Sequence, residues 1–219
     1  QVRTLSESGS GGFAVAGGYT LASRRMGSTR LRLGAEYDYC SGDDDPDDGD
    51  HGTFDPLFPY GHYYQGIQDT FSWKNGQDLA FKLDVYPPKT TRVPHAEVQY
   101  HFFWLTEEKD GWFNAGLGQI RRDSTGSSGN FVGTELDVTM KYALLDPFAV
   151  LWFGYAHFFP GEYVDDTGDD PDRDLCLDRC GGPPAAASLP NPHCQAIAYL
   201  LRIVASEQRC THVAELQEI

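Results

Sequence analysis

His95-Ala96-Glu97-Val98-Gln99-Tyr100-His101-Phe102-Phe103-Trp104-Leu105 decides how the chain is read. Polar side chains at 95, 97, 99 and 101 alternate with apolar ones at 96, 98, 100, 102 and 104. Successive side chains of a strand point to opposite faces, so one face of this segment is polar and the other apolar. A soluble sandwich would also give that pattern, so one strand decides nothing. Here it recurs along the chain in repeats of about ten residues, several ending in aromatics. That is the length and alternation of a strand crossing an outer membrane between lipid and a polar lumen.

Working outward, residues 13–21 set Phe13, Val15, Tyr19 and Leu21 against Ala14, Ala16, Gly18 and Thr20. Residues 30–39 set Leu31, Leu33, Ala35, Tyr37 and Tyr39 against Arg30, Arg32, Glu36 and Asp38. Residues 79–86 set Leu79, Phe81, Leu83 and Val85 against Lys82 and Asp84. Residues 134–142 set Leu136, Val138, Met140 and Tyr142 against Glu135, Asp137, Thr139 and Lys141. Residues 149–159 are almost wholly apolar and read as a strand by position only. The expected lumen face therefore carries Arg30, Arg32, Glu36, Asp38, Lys82, Asp84, His95, Glu97, Gln99, His101, Glu135, Asp137 and Lys141. Lipid is expected to meet Leu31, Leu33, Leu83, Val98, Phe102 and Trp104.

The connections sort by length. Residues 22–29, 87–94 and 143–148 are short and hold turn formers: Gly27-Ser28, Pro87-Pro88 and Asp146-Pro147. Residues 40–78 and 106–133 are long, polar and Gly-rich. Short turns on one side and long loops on the other is the bacterial outer-membrane arrangement, with the long loops outside the cell. Tyr37, Tyr39, Phe102 and Trp104 toward the long loops, and Tyr19, Tyr86 and Tyr142 toward the short turns, fit two interfacial aromatic bands. The fold class is all-β: a partial antiparallel transmembrane β-barrel, an up-and-down meander with an irregular or short-helical C-terminal tail. Six strands cannot close such a barrel, for which about eight is the lower limit, and open edges would leave backbone groups unpaired in lipid. With Gln1 preceded by no leader, the chain reads as an internal fragment of a longer protein.

Composition narrows the function. With 17 Lys+Arg against 32 Asp+Glu, the net charge is −15, which argues against nucleic acid as a partner, since phosphate contacts need clustered cations. No run of about 18 apolar residues offers a transmembrane helix, as expected where only every second residue faces lipid.

Two units are expected: a partial barrel over residues 1–164 and an atypical tail over 165–219. Residues 173–219 hold no Phe or Trp, and four of the chain's five cysteines lie after residue 170. The shift reads as a changed reading frame, a disordered end or a small appendage, with a short helix over 193–208. Cys176, Cys180, Cys194 and Cys210 with His193 and His212 lack the short C-x2-C pairs of a zinc site. Asp43 to Asp50 fails the calcium-loop spacing, with Pro46 at the third position counted from Asp44 and Asp55 at the twelfth; a solvated acidic loop is expected. His95 and His101 share no strand with a serine that would make a nucleophile. No enzyme, metal or cofactor is read here.

Several stretches resemble the carboxy-terminal half of the alginate export family of outer-membrane barrels. They are residues 34–39 (GAEYDY) running into Ser41-Gly42-Asp43, Gly52-Thr53-Phe54-Asp55 with Leu57-Phe58-Pro59, residues 100–105 (YHFFWL), residues 133–137 (GTELD) and residues 154–161 (GYAHFFPG). The resemblance implies a barrel of about eighteen strands that passes an anionic polysaccharide out of the periplasm. The expected partners are a polar or anionic polysaccharide, outer-membrane lipid and periplasmic export components; the expected place is the cell outer membrane. Rival readings are a soluble β-sheet carbohydrate-binding or structural domain, or a general porin. A cationic ring of Arg30, Arg32 and Lys141 is expected at the short-turn mouth, with Glu36, Asp38, Glu135 and Asp137 toward the long loops.

Overall fold

The alternating segments pair edge to edge. The computed structural model describes residues 2–6, 11–58, 64–145, 149–168 and 198–203. Its strands are β1 (Val2–Ser6), β2 (Phe13–Met26), β3 (Thr29–Cys40), β4 (Gly76–Tyr86), β5 (His95–Leu105), β6 (Gly111–Phe113), β7 (Gln119–Arg122), β8 (Phe131–Leu145), β9 (Ala149–Pro160) and β10 (Ala198–Ile203), with α1 (Glu162–Thr167) after β9. Eight of them form one open sheet in the order β1-β2-β3-β4-β5-β8-β9-β10, and β6 and β7 make a separate hairpin. Every pairing is antiparallel.

The register fixes the two faces. Leu33, Leu83, Val98 and Val138 lie in one row across β3, β4, β5 and β8, and Tyr155 of β9 extends it. Each is between 37% and 42% exposed. An apolar row left bare at mid-strand is what lipid requires, and soluble monomers avoid extended bands of this kind. The neighbouring rows face the other way and are polar and mostly covered. No helix among the described residues is long and apolar enough to cross a membrane, which says nothing about crossing by strands.

Several expectations are corrected. β2 runs on through residues 22–26, so the connection to β3 is only Gly27-Ser28. Gly27 has φ 61°, and a glycine in the first position of a two-residue hairpin matches the right-handed twist of the strands. A bulge between Thr20 and Ala22 reverses the facing of the residues that follow. Because β2 runs on to Met26, Tyr19 sits within the strand, opposite Ala35, and not at its end. Tyr86 belongs to the polar face: its ring lies 4.8 Å from that of His95 and 4.2 Å from the Arg30 guanidinium carbon, so it is no lipid anchor.

The tail contributes β10, which pairs with β9 along 198–203. A strand therefore stands where a short helix was expected, and that part of the tail belongs to the sheet. This segment pairs with the otherwise unpaired edge of β9. Cys176, Cys180, Cys194, Cys210, His193 and His212 lie outside the described residues.

The long connections are partly packed, and not simply solvated. Phe71, Phe103, Leu105, Trp112, Val132, Phe158, Tyr163 and Val164 form a buried cluster with Ile120 against it. It gathers side chains from both long connections, four strands and α1; burying each large side chain contributes about 1.5–3 kcal/mol. Asn75, at φ 49°, ties the two connections together: its amide donates to the carbonyls of Glu107 and Gly111 and accepts from the Glu107 N–H. In the acidic loop Asp43 is buried and accepts from the Gly52 and Asp45 amides, while Asp44, Asp45, Asp47, Asp48 and Asp50 are exposed as expected.

The fold generates two predictions. Val98→Arg is expected to destabilise the membrane-inserted protein by about 2–4 kcal/mol, the range for a cation at the bilayer midplane. Denaturant unfolding in lipid vesicles measures this, and a cost below about 0.5 kcal/mol would mean that the row does not face lipid. The second concerns Asp123, whose carboxylate accepts from the Thr125 hydroxyl and amide and from Ser127 and Ser128. Those bonds, the Thr125 ones foremost, hold its carboxyl below the usual range. A depressed folded-state pKa contributes stability that is present above the ordinary value of about 3.9 and lost as pH falls through the lowered one. Chemical-shift titration of Asp123 is expected to show the 123–128 turn intact through mild acid.

Candidate functional site

All thirteen expected lumen residues fall on one face of the sheet. Arg32, Asp84, Glu97 and Thr139 form one row, and Gly34, Lys82, Gln99 and Asp137 the next inner one. Glu36, Ala80, His101 and Glu135 form the row after that. Directly opposed residues share a face, so Asp38 lies with Asp78, and His95 with Lys141.

The cations of this wall are not equally free. Arg32 Nε donates to Asp84 Oδ2 at 2.8 Å, and His95 Nε2 lies 2.8 Å from Asp84 Oδ1, which also accepts from the Tyr86 hydroxyl at 3.3 Å. Lys82 Nζ is 2.7 Å from Glu36 Oε2. Gln99 Nε2 donates to Glu97. Arg32 therefore does not stand in an open cationic ring; it pairs across strands, because a buried Asp84 beside it needs the charge.

Arg25 was hidden in the sequence. The β2 bulge places it directly opposite Arg30 on the inner face, and Arg25, Arg30 and Lys141 are all exposed. The open cationic set at the short-turn end is thus Arg25, Arg30 and Lys141. Only the irregular spacing of residues 20–26 hinted at the bulge, and alternation alone cannot place one.

Asp84, His95 and Glu97 offer ligand atoms within 4.8 Å of one another. The Asp84 oxygens already take Arg32, His95 and Tyr86, so the group reads as an ion-pair network and not as a metal centre. His101, buried, lies 2.8 Å from Asp78 through Nδ1 and 3.7 Å from Asp137 through Nε2. Both histidines are oriented by carboxylates.

The long-loop half of the inner wall is covered by part of the connection between β3 and β4. Ile67 N donates to Asp137 Oδ2 at 3.1 Å, and Gln68 N donates to Glu135 Oε1 at 3.0 Å. The Thr70 hydroxyl lies 3.5 Å from Glu135 Oε2, and the Thr70 carbonyl accepts from Trp112 Nε1 at 2.8 Å. Gly66 permits this approach: its φ is 82°, and a Cβ there would stand 2.5 Å from Glu135 Oε1. Across the wall, a Cβ at Gly154 would lie 3.2 Å from Ile67 Cδ1. The buried carboxylates of β8 therefore anchor a segment laid over the inner face of the sheet, where sequence reading placed them in open lumen.

The alginate export family model matches residues 2–176. The chain belongs to the alginate export family. That family consists of porin-type outer-membrane transport channels, which agrees with a two-faced antiparallel sheet. The match also runs past residue 164, through α1, to Cys176. No curated protein matches this chain.

If Glu135 anchors the covering segment, Glu135→Ala is expected to accelerate hydrogen exchange at the Gln68 amide about 10- to 100-fold, the equivalent of a lost hydrogen bond to a charged group. Exchange read by mass spectrometry tests it. Unchanged protection would mean that the apolar cluster around Phe71 and Trp112 holds the segment alone.

Proposed function

We propose that this alginate export family chain forms part of the wall of an outer-membrane channel that passes a polar, anionic polysaccharide such as alginate. The observation that carries the reading is the segregation of charge on the inner face. Arg25, Arg30 and Lys141 are exposed at the short-turn end, whereas Glu135, Asp137 and Asp78 at the long-loop end are buried. A polyanion meets unpaired cations first, since fixed charge of one sign draws its counter-charge toward a mouth. Beyond them the acidic charge is shielded by the covering segment and does not trap the chain, and transport needs binding weak enough to release. The short-turn end is then the periplasmic mouth, and export runs toward the long loops.

The test is electrical. With the protein in planar lipid bilayers, replacing Arg25, Arg30 and Lys141 by Ala together is expected to shift ion selectivity toward cations and weaken block by alginate oligomers. Arg32→Ala, which breaks an internal pair, is expected to lower stability and leave block nearly unchanged. Equal block by alginate and by a neutral oligosaccharide in the unmodified protein would overturn the anionic substrate and leave a general porin.

A further inference from the structure

Beneath the covering segment lies a feature that the transport reading does not use. Asp38 of β3 and Asp78 of β4 are directly opposed in the register, and each is 1% exposed. Among the described residues neither oxygen of Asp38 has a hydrogen-bond partner, nor does Oδ1 of Asp78; Asp78 Oδ2 is taken by His101. Like charges directly opposite one another destabilise a sheet. A buried carboxylate with no donor is costly, and buried charges in proteins are as a rule either paired or ligands of a metal.

Among the described residues, the charged neighbours on this face are already engaged. On the same face, Glu36 is two residues before Asp38, and its partner Lys82 is held 2.7 Å away. Glu135 and Asp137 accept backbone amides of the covering segment, and His101 is bonded to Asp78 through Nδ1, with Nε2 3.7 Å from Asp137. Five carboxylates (Glu36, Asp38, Asp78, Glu135 and Asp137) thus share the region with one lysine and one histidine. The orphaned oxygens belong to side chains that stand opposite one another on one face of adjacent strands, and all three are of the kind that hard cations take.

We propose that Asp38 and Asp78 hold a divalent hard cation, Ca2+ being the best fit, which neutralises the inner wall under the covering segment. Ca2+ accepts oxygen ligands in a flexible arrangement and completes its shell with water, so three carboxylate oxygens from a sheet can serve it. The cation has a structural role, distinct from the path of the transported chain. It lets acidic residues be packed beneath residues 64–75 without mutual repulsion.

Thermal unfolding of the detergent-purified protein, free of lipopolysaccharide, tests the site, with Ca2+ alone added against a chelator. The unfolding midpoint is expected to rise with Ca2+ in the unmodified protein. In Asp38→Asn the dependence is expected to vanish, while in chelator this variant unfolds no lower than the unmodified protein, because an uncompensated charge is gone. A damaged fold would instead lower the midpoint under both conditions. Replacing Asp44, Asp47 and Asp48 of the exposed loop by Asn is expected to leave the dependence intact. Tb3+ luminescence sensitised by protein aromatics is expected to be lost in Asp38→Asn and in Asp78→Asn. The proposal is overturned if Ca2+ stabilises Asp38→Asn as much as the unmodified protein, or if only the loop variant loses the effect. It is equally overturned if the unmodified protein is indifferent to Ca2+ and is stabilised by acid alone, the mark of a shared proton.

Discussion

One constraint governs the molecule: the pairing register of β3, β4, β5 and β8. Because side chains alternate with a period of two, a slip of one residue would carry every apolar side chain to the inner face and every charge into lipid. Arg32 meets Asp84 only because Leu33 meets Leu83 one step along. Ion pairing and lipid exposure are therefore a single choice. The cross-strand pair Arg32–Asp84 reinforces this register from the wall, and the short hairpin at Gly27-Ser28 fixes the pairing of β2 with β3 beside it.

The inner face solves two electrostatic problems in different ways. Near the short turns, carboxylates are few and the cations stand open, apart from Arg32, which neutralises the buried Asp84. Near the long loops, carboxylates outnumber cations, and the protein covers them with backbone. Amides of Ile67 and Gln68 serve as donors, which costs no side-chain charge and fixes the covering segment at the same time. Hydrogen bonds to ionised acceptors are stronger than neutral ones, so two of them suit an element that must stay seated on the wall.

The two-faced sheet was legible in the sequence because β3, β4, β5 and β8 have a polar inner face, and alternation is then visible at once. Family membership was legible from motifs such as residues 34–39 and 154–161. What was not legible has specific causes. The bulge after Thr20 changes facing without changing composition, which hid Arg25, and the run of β2 on to Met26 puts Tyr19 within the strand. Tyr86 reads as an interfacial aromatic until its Arg30 and His95 contacts are seen. The role of Glu135 and Asp137 depends on residues 67 and 68, about seventy positions away, and no local pattern announces a backbone amide as a partner. β10 was obscured by its surroundings, since a strand of six residues in an aromatic-poor tail has too few periods to declare itself.

β9 shows why alternation fails as a signal where the lumen is not wet. Its outward positions, Tyr155 and Phe159, are exposed as lipid-facing residues should be. Its inward positions are covered too: Ala156 and Phe158 are buried, Ile67 approaches the half-buried Gly154, and Phe158 lies 6.2 Å, centroid to centroid, from Trp112. A strand between lipid and a packed interior is apolar on both faces, as strands buried on both sides are in soluble proteins. The apolar inward positions 154, 156 and 158 therefore record the covering layer itself, written into the wall that it rests against.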